Sequence, residues 1–464
     1  MLRLDLAIVN GTLIDEQGRR EADIGIADGR VAQVAAAGTL AGRASAEIDA
    51  TSMWVLPGIV DAHFHCRAPD HPEREDFASG TAAAAAGGIT TLFEMPIAEV
   101  GVARAEVLRA RQELAEREAY IDFALFGALG SLDRHTIHEL AAAGAIGFKS
   151  FTLHPPPDRR RAFEGIDIVA EDQLFTALSL ARETGLVCAI HAENDALLRL
   201  HYASARSQRL SGPAAHMHAH PVVAEAMAVA WMGVLSEATG ARVHIVHVTS
   251  RWALDLIRLA RQRGANLTAE TCPHYLLFDE ATAHEYGPWA KISPPLRTAA
   301  DREALWAALG DGTLDFIASD HAPFLPEEKE ISDMLAVPSG LPNVEVFPPL
   351  MLSAALEGRM PLEHMVGLLT ARPARIYGIY PQKGALLPGS DADVLIYDPR
   401  PLTQIEPERW HSKSRGSGRV FAGMRHQGRV ARTIVRGRTV YAGGELVGPR
   451  GWGRMVRPGK LQIE

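Results

Sequence analysis

Apolar and polar positions change rhythm twice along the chain. Over residues 1–56, the runs LDLAIVNGTLID, ADIGIADGRVAQVA and AEIDATSMWVLP alternate apolar with polar positions and are broken by Asn-Gly and Asp-Gly, pairs that suit tight hairpin turns. Short strands and turns are predicted there. The same texture returns in GSDADVLIYDP and RVARTIVRGRTVYAGGELV towards the other end. Two hairpin-rich ends around a long middle predict one composite β domain, in which residues 1–56 and 376–464 pack together.

The middle, residues 57–375, alternates apolar strand candidates with Ala/Leu/Arg/Glu-rich helical stretches such as VARAEVLRARQELAEREA and DREALWAALG. The strand candidates are GIVDAHFH, GITTLFEMP, IDFALFGALG, AIGFKSF, GLVCAIHAE, RVHIVHVTS, ANLTAETCPHYL and LDFIASDHAP. Each is followed by enough chain for a helix, the pattern of an α/β protein built as a (β/α)₈ TIM barrel. A doubly wound open sheet is the alternative. No GxxxxGK[ST] loop and no dinucleotide-type glycine spacing occurs.

A length of 464 residues suits one domain of about 250 to 300 residues plus a smaller one. Hydrophobic content of 47% and charged content of 22% describe a globular chain, and a net charge of −9 offers no attraction for nucleic acid or an anionic membrane. Three widely spaced cysteines, Cys66, Cys188 and Cys272, speak against a disulfide framework and for a reducing compartment. The first residues, with Asp5 and no long apolar core, do not read as a signal peptide. No uninterrupted apolar run approaches the roughly 18 residues of a membrane span. A cytoplasmic protein is expected.

In an α/β barrel the reacting groups project from the C-terminal ends of the strands. Five of the eight candidates end in a metal-competent group: His63 and His65 on the first, Lys149 on the fourth, His191 on the fifth, His247 on the sixth and Asp320 on the eighth. Any one of these histidines, taken singly, reads more naturally as a hydrogen-bonded structural residue. Jointly they have no common packing explanation. Side chains two apart on a strand point the same way, so His63 and His65 can grip one ion, with Asp61 behind them as support and Arg67 on the same face if the extended conformation persists. A lysine buried at Lys149 would lose its proton readily, and a neutral amine can take up carbon dioxide as a carbamate able to bridge two cations. A lysine snorkelling to solvent is the plainer reading of that residue alone.

The stretches DAHFH, GFKSF, IHAEN, VHVTS, ETCPHYL, ISPPLR and SDHAP, with KGALLPGSDADVLIYDP near the end, resemble the cyclic amidohydrolases: dihydroorotases, allantoinases and hydantoinases or dihydropyrimidinases. The resemblance implies a binuclear centre of two divalent ions, usually zinc. His63 and His65 hold the first, with Asp320 as a further ligand, and His191 and His247 hold the second. Lys149, as N6-carboxylysine, and a hydroxide bridge the pair. Metal binding lowers the pKa of water from about 15.7 toward 7. The hydroxide then attacks the ring amide, with Asp320 as base and then acid.

Subfamilies differ around the metals. Dihydroorotases bind a substrate carboxylate through an arginine after the histidine pair, an asparagine after the second strand and a histidine after the eighth. Here Arg67 fits the first, but Ile97 and Phe324 stand at the others. The hydantoinase tyrosine beyond the lysine is absent from FTLHPPP, where His154 is the candidate donor to an oxyanion. Ser293 in ISPPLR, and Leu341, Pro342 and Asn343 in PSGLPNVE, align with the family's substrate loops. A neutral or hydrophobic cyclic ureide or imide, allantoin-like or hydantoin-like, is the expected small-molecule substrate. Dihydroorotase activity and a non-catalytic dihydropyrimidinase-like scaffold are the alternatives, and a homo-oligomer, dimer or tetramer, is implied.

Three features carry less. His216, His218 and His220 in AAHMHAHPV read as the loop before the next helix, lying over the pocket mouth, with an accessory metal site as the lesser alternative. The arginine-rich tail interleaves with strand residues, so no nucleic acid or membrane partner is expected. Cys66 should face away from the metals by strand alternation, and His274 reads as a supporting residue.

Overall fold

The computed structural model describes residues 3–98, 100–155 and 157–459. Both chain ends build one nine-stranded sheet. Leu4–Asp15 pairs antiparallel with Gly18–Ala27, which pairs in turn with Arg30–Ala36 across a turn at Asp28 and Gly29. Both turn residues have positive φ, 51° and 74°, as a tight hairpin of this hand requires. Trp54–Pro57 lies parallel to the first strand on one side and antiparallel to Val394–Gln404 on the other, and so welds the two ends together. Arg425–Val435, Arg438–Ala442 and Glu445–Leu446 continue the sheet. Leu13, Ile24, Val55, Val394 and Ile434 fill its core. The outermost residues of the expected segments, 1–2 and 460–464, lie outside the described residues.

Eight parallel strands form the second body: Ile59–Phe64, Ile89–Glu94, Asp122–Leu125 continued by Gly127–Ala128, Gly147–Phe151, Val187–His191, Val243–Ile245, Leu267–Thr271 and Phe316–Ile317. The last returns to the first. Phe64 bridges His321, and the Ser319 amide donates to Asp61 Oδ1 at 2.9 Å, which closes a barrel and overturns the open-sheet alternative. Helices follow each strand, beginning with the alanine-rich Phe77–Ala86, whose Asp76 and Ser79 form a capping box.

The fifth strand is followed by three helices, Asp195–Ser207, Gly212–Ala219 and Val222–Thr239. AAHMHAHPV is thus helix rather than loop up to Ala219, because Pro213 in the first turn starts a helix without breaking one. Gly212–Thr239, 28 residues including the junction of the last two helices, is long and apolar enough to cross a membrane by length and composition, yet Glu225 and Glu237 keep it free of any uninterrupted apolar run of about 18 residues. Half of its most apolar 18-residue window is buried inside the protein. Ala224, Ala228, Val229 and Met232 face the core, and Gly233 lets the helix approach Ala260 too closely for a side chain.

At the N-terminal end of the barrel, the buried Lys383 amine contacts Asp122 at 2.5 Å, Asp393 at 2.8 Å and Asp391 at 3.1 Å. Arg436 adds a second cation on Asp122. This cluster joins the third barrel strand to the composite sheet.

Candidate active site

His63 and His65 straddle the end of the first strand, and each points Nε2 at Asp320 Oδ1, at 3.3 and 3.4 Å. Ring centroids of His63 and His247 lie 5.5 Å apart, and those of His191 and His247 4.6 Å. His247 and Asp320 follow the sixth and eighth strands with φ of 42° and 44°. Such left-handed backbone costs a non-glycine residue about 1–3 kcal/mol and concentrates at working sites, because it turns a side chain where a strand could not. Lys149 differs from expectation in one respect. It sits in the middle of Gly147–Phe151, not at its exit, so its amine reaches the cluster from below.

Burial lowers Lys149 to about 8, against the pull of Glu270 and Asp320, and its Nζ lies 5.0 Å over the Phe151 ring. Burial also takes His65 down to about 4 and depresses His63, His191 and His247, leaving neutral imidazoles with lone pairs to offer. Burial pushes Asp320 up, but His63, His65 and His247 hold it well below the usual carboxylate range. Lys149 Nζ, His65 Nδ1 and His247 Nδ1 are buried without a hydrogen-bond partner among the described residues. Donor atoms of His63, His65 and Asp320 lie within 4.8 Å of one another. Imidazole nitrogens and a carboxylate converging on one point, with buried atoms left unsatisfied, suit divalent cations of the zinc type.

Two carboxylates that the sequence reading missed orient His63 and His191. Glu270 Oε1 lies 2.5 Å from His63 Nδ1, and its Oε2 3.1 Å from His244 Nε2. Glu193 bonds His191 Nε2 and His220 Nδ1, each at 2.8 Å, and Tyr202 adds a hydroxyl 2.9 Å from His220 Nε2. The available signal was an acid inside otherwise apolar strand texture, LTAET and IHAEN. Asp61 supports the histidine pair through the backbone and through Ser319 rather than through an imidazole ring. It accepts from the Ser319 amide and, at 2.5 Å, the Ser319 hydroxyl, and touches His63 only through its backbone at 3.4 Å. It fastens the first strand to the last.

Arg67 lies beyond the strand end, so alternation no longer directs it. Its Nε donates to Pro323 O at 3.3 Å and its guanidinium stands 4.8 Å over the Phe324 ring. Ile97 packs with Ala128, Phe151, Phe163 and Ile166 in a small apolar cluster. The His154 ring is about half exposed and bonded to Asp167 at 3.0 Å. Ser293 donates to Ser339 Oγ at 2.9 Å. Leu341 and Pro342 are buried, and Asn343 donates through Nδ2 to Ser319 O at 2.8 Å and through its amide to His321 Nδ1 at 3.0 Å. The Leu341–Asn343 segment is therefore pinned to the loop that carries Asp320. Cys66 points toward Glu75 O, away from the histidines, whereas Cys272 and His274 form a further donor group with Asp320.

These donor atoms at the barrel mouth could hold a metal ion, and residues 54–440 match the amidohydrolase family, to which the chain belongs. Within that family it is similar to an allantoinase of Rubrobacter xylanophilus, 37% identical over 99% of this chain and 98% of the relative. A D-phenylhydantoinase of Escherichia coli is 34% identical over 97% of each chain. The solved L-hydantoinase (dihydropyrimidinase) from Arthrobacter aurescens, 32% identical, superposes with a TM-score of 0.93 over 98% of this chain and 100% of that one.

Proposed function

We propose that this enzyme hydrolyses a C–N bond of a cyclic amide, opening an allantoin-like or hydantoin-like ureide or imide ring. The observation that carries the reading is the convergence of His63 and His65 on Asp320 at the barrel mouth, with a buried Lys149 whose amine has no hydrogen-bond partner among the described residues. His63, His65 and Asp320 would hold one zinc ion and His191 and His247 a second, with Lys149 bridging as N6-carboxylysine. When bound, such ions supply a water of lowered pKa and polarise a carbonyl.

The chain's own groups do the rest. Asp320 takes the proton of the attacking water and returns it to the departing ring nitrogen. Backbone groups around Ser293 and Leu341–Asn343 orient the ring amide, while Ile97 and Phe324 present an apolar wall. Arg67, lying on Phe324 and bonded to Pro323 O, closes that wall. His154 would have to leave Asp167 to reach a substrate, and this mechanism does not use it. A ring bearing a carboxylate, as in a dihydroorotase, fits less well because Ile97 and Phe324 offer an anion no donor.

The reading extends to a cytoplasmic homo-oligomer with residues 57–375 as the catalytic unit. All three cysteines are free and buried, and Met227, Val234, Trp252 and Leu259 expose apolar surface on two neighbouring helices. The test is a hydrolysis panel of allantoin, dihydroorotate, dihydrouracil, hydantoin and aryl hydantoins on protein of known metal content. Turnover of allantoin or hydantoins above dihydroorotate is expected, and the reverse order would sink the substrate assignment.

A further inference from the structure

Two lysines beside the proposed recognition segments are buried, Lys291 at 3% and Lys329 at 0% exposure. Among the described residues their amines bond only to backbone carbonyls. Lys291 Nζ donates to Met334 O at 2.7 Å, to Val337 O, and at 3.3 Å to Leu335 O. Lys329 Nζ donates to Pro338 O at 3.0 Å and to the Lys291 carbonyl at 3.3 Å. That same carbonyl accepts from the Gly340 amide at 2.9 Å, and Ser293 meets Ser339 at 2.9 Å.

Residues 334–340 are in this way fastened to residues 291–293. One stretch contains Ser293 and the other runs straight into Leu341–Asn343. At Gly340 a Cβ would fall 2.4 Å from Ala322 O, so the chain there has little freedom to shift without losing contact with the Asp320 loop. The buried Lys383 is paired with acids. Lys291 does otherwise: the acid of its own loop, Asp333, is turned outward to Arg206 at 2.7 Å. An ammonium has three donors and no acceptor, so one such group can organise a loop through three carbonyls.

We propose that Lys291 is a positioning residue for substrate recognition, its ammonium tying the Ser293 segment to the Leu341–Asn343 segment so that both bind the ring amide as one rigid edge. The inference rests on the assignment of those segments under the proposed function. Lys329 braces the same bracket from the opposite side.

The experiment compares Lys291→Met and Lys291→Gln with wild type in the metal-loaded enzyme. It measures KM and kcat for allantoin or hydantoin, whichever wild type turns over, together with hydrogen exchange across residues 334–343. Lys291→Met leaves buried carbonyls unsatisfied and is expected to raise KM about tenfold, with kcat within about twofold and faster exchange of the segment. Lys291→Gln, which keeps two donors, falls between, and is read alone if the methionine variant does not fold. Unchanged KM with unchanged exchange overturns the inference, as does a loss of kcat at constant KM. Should wild type open none of these rings, the proposed function fails by itself. Exchange still decides the bracket: faster exchange in the variants supports it, and unchanged exchange removes it.

Discussion

His63 Nδ1 lies 2.5 Å from Glu270 Oε1, with both residues buried. This contact fixes the ring so that Nε2 faces Asp320, and it links the first barrel strand to the seventh. Glu270→Ala should lower affinity for the ion at His63 and His65 by about 10- to 100-fold, the usual consequence of removing such a partner. Glu270→Gln, whose amide oxygen still accepts from His63, should lose less. Metal content after dialysis against graded chelator measures both.

Lys149→Met removes the amine of the cluster while preserving its bulk. Bound metal should fall below two ions per chain and kcat/KM by more than about 100-fold. Elemental analysis of the same samples used for kinetics checks this. Full activity with two ions bound would remove the bridging lysine from the mechanism.

Asp320→Asn keeps shape and one oxygen but cannot take a proton. The expected loss in kcat is about 100- to 10,000-fold, the range for a positioned acid–base group. Comparing variant and wild type at equal metal occupancy separates proton transfer from ion binding.

Lys383→Met tests the other end of the barrel. It leaves Asp391 and Asp393 without their buried cation, and an uncompensated pair of this kind costs about 3–5 kcal/mol. The denaturant midpoint should fall with an unchanged slope, while kcat of the folded enzyme holds, because the proposed ligands sit at the opposite strand ends.

The sequence made some of this site legible and hid the rest for physical reasons. His63 and His65 could be paired because strand alternation carries both to one face, and the composite sheet was announced by hairpin turns at each end. Arg67 could not be placed, since the strand stops at Phe64 and the side chain settles on Phe324, 257 positions away in sequence. Glu270 carries no partner in the local sequence, and only folding sets it against His63 and Glu193 against His191. Asp61 was read by the same alternation as its neighbours, yet the closing of the barrel gave it Ser319 as its partner. The Lys291 bracket runs between a lysine side chain and carbonyls, and carbonyls carry no sequence signature.

The central claim, ring opening at a two-ion site, is tested most directly by adding zinc in equivalents to metal-stripped protein and following hydantoin or allantoin hydrolysis. Activity should be absent without metal and should saturate at two equivalents per chain. Undiminished hydrolysis by the stripped protein, or saturation without a second ion, would contradict it.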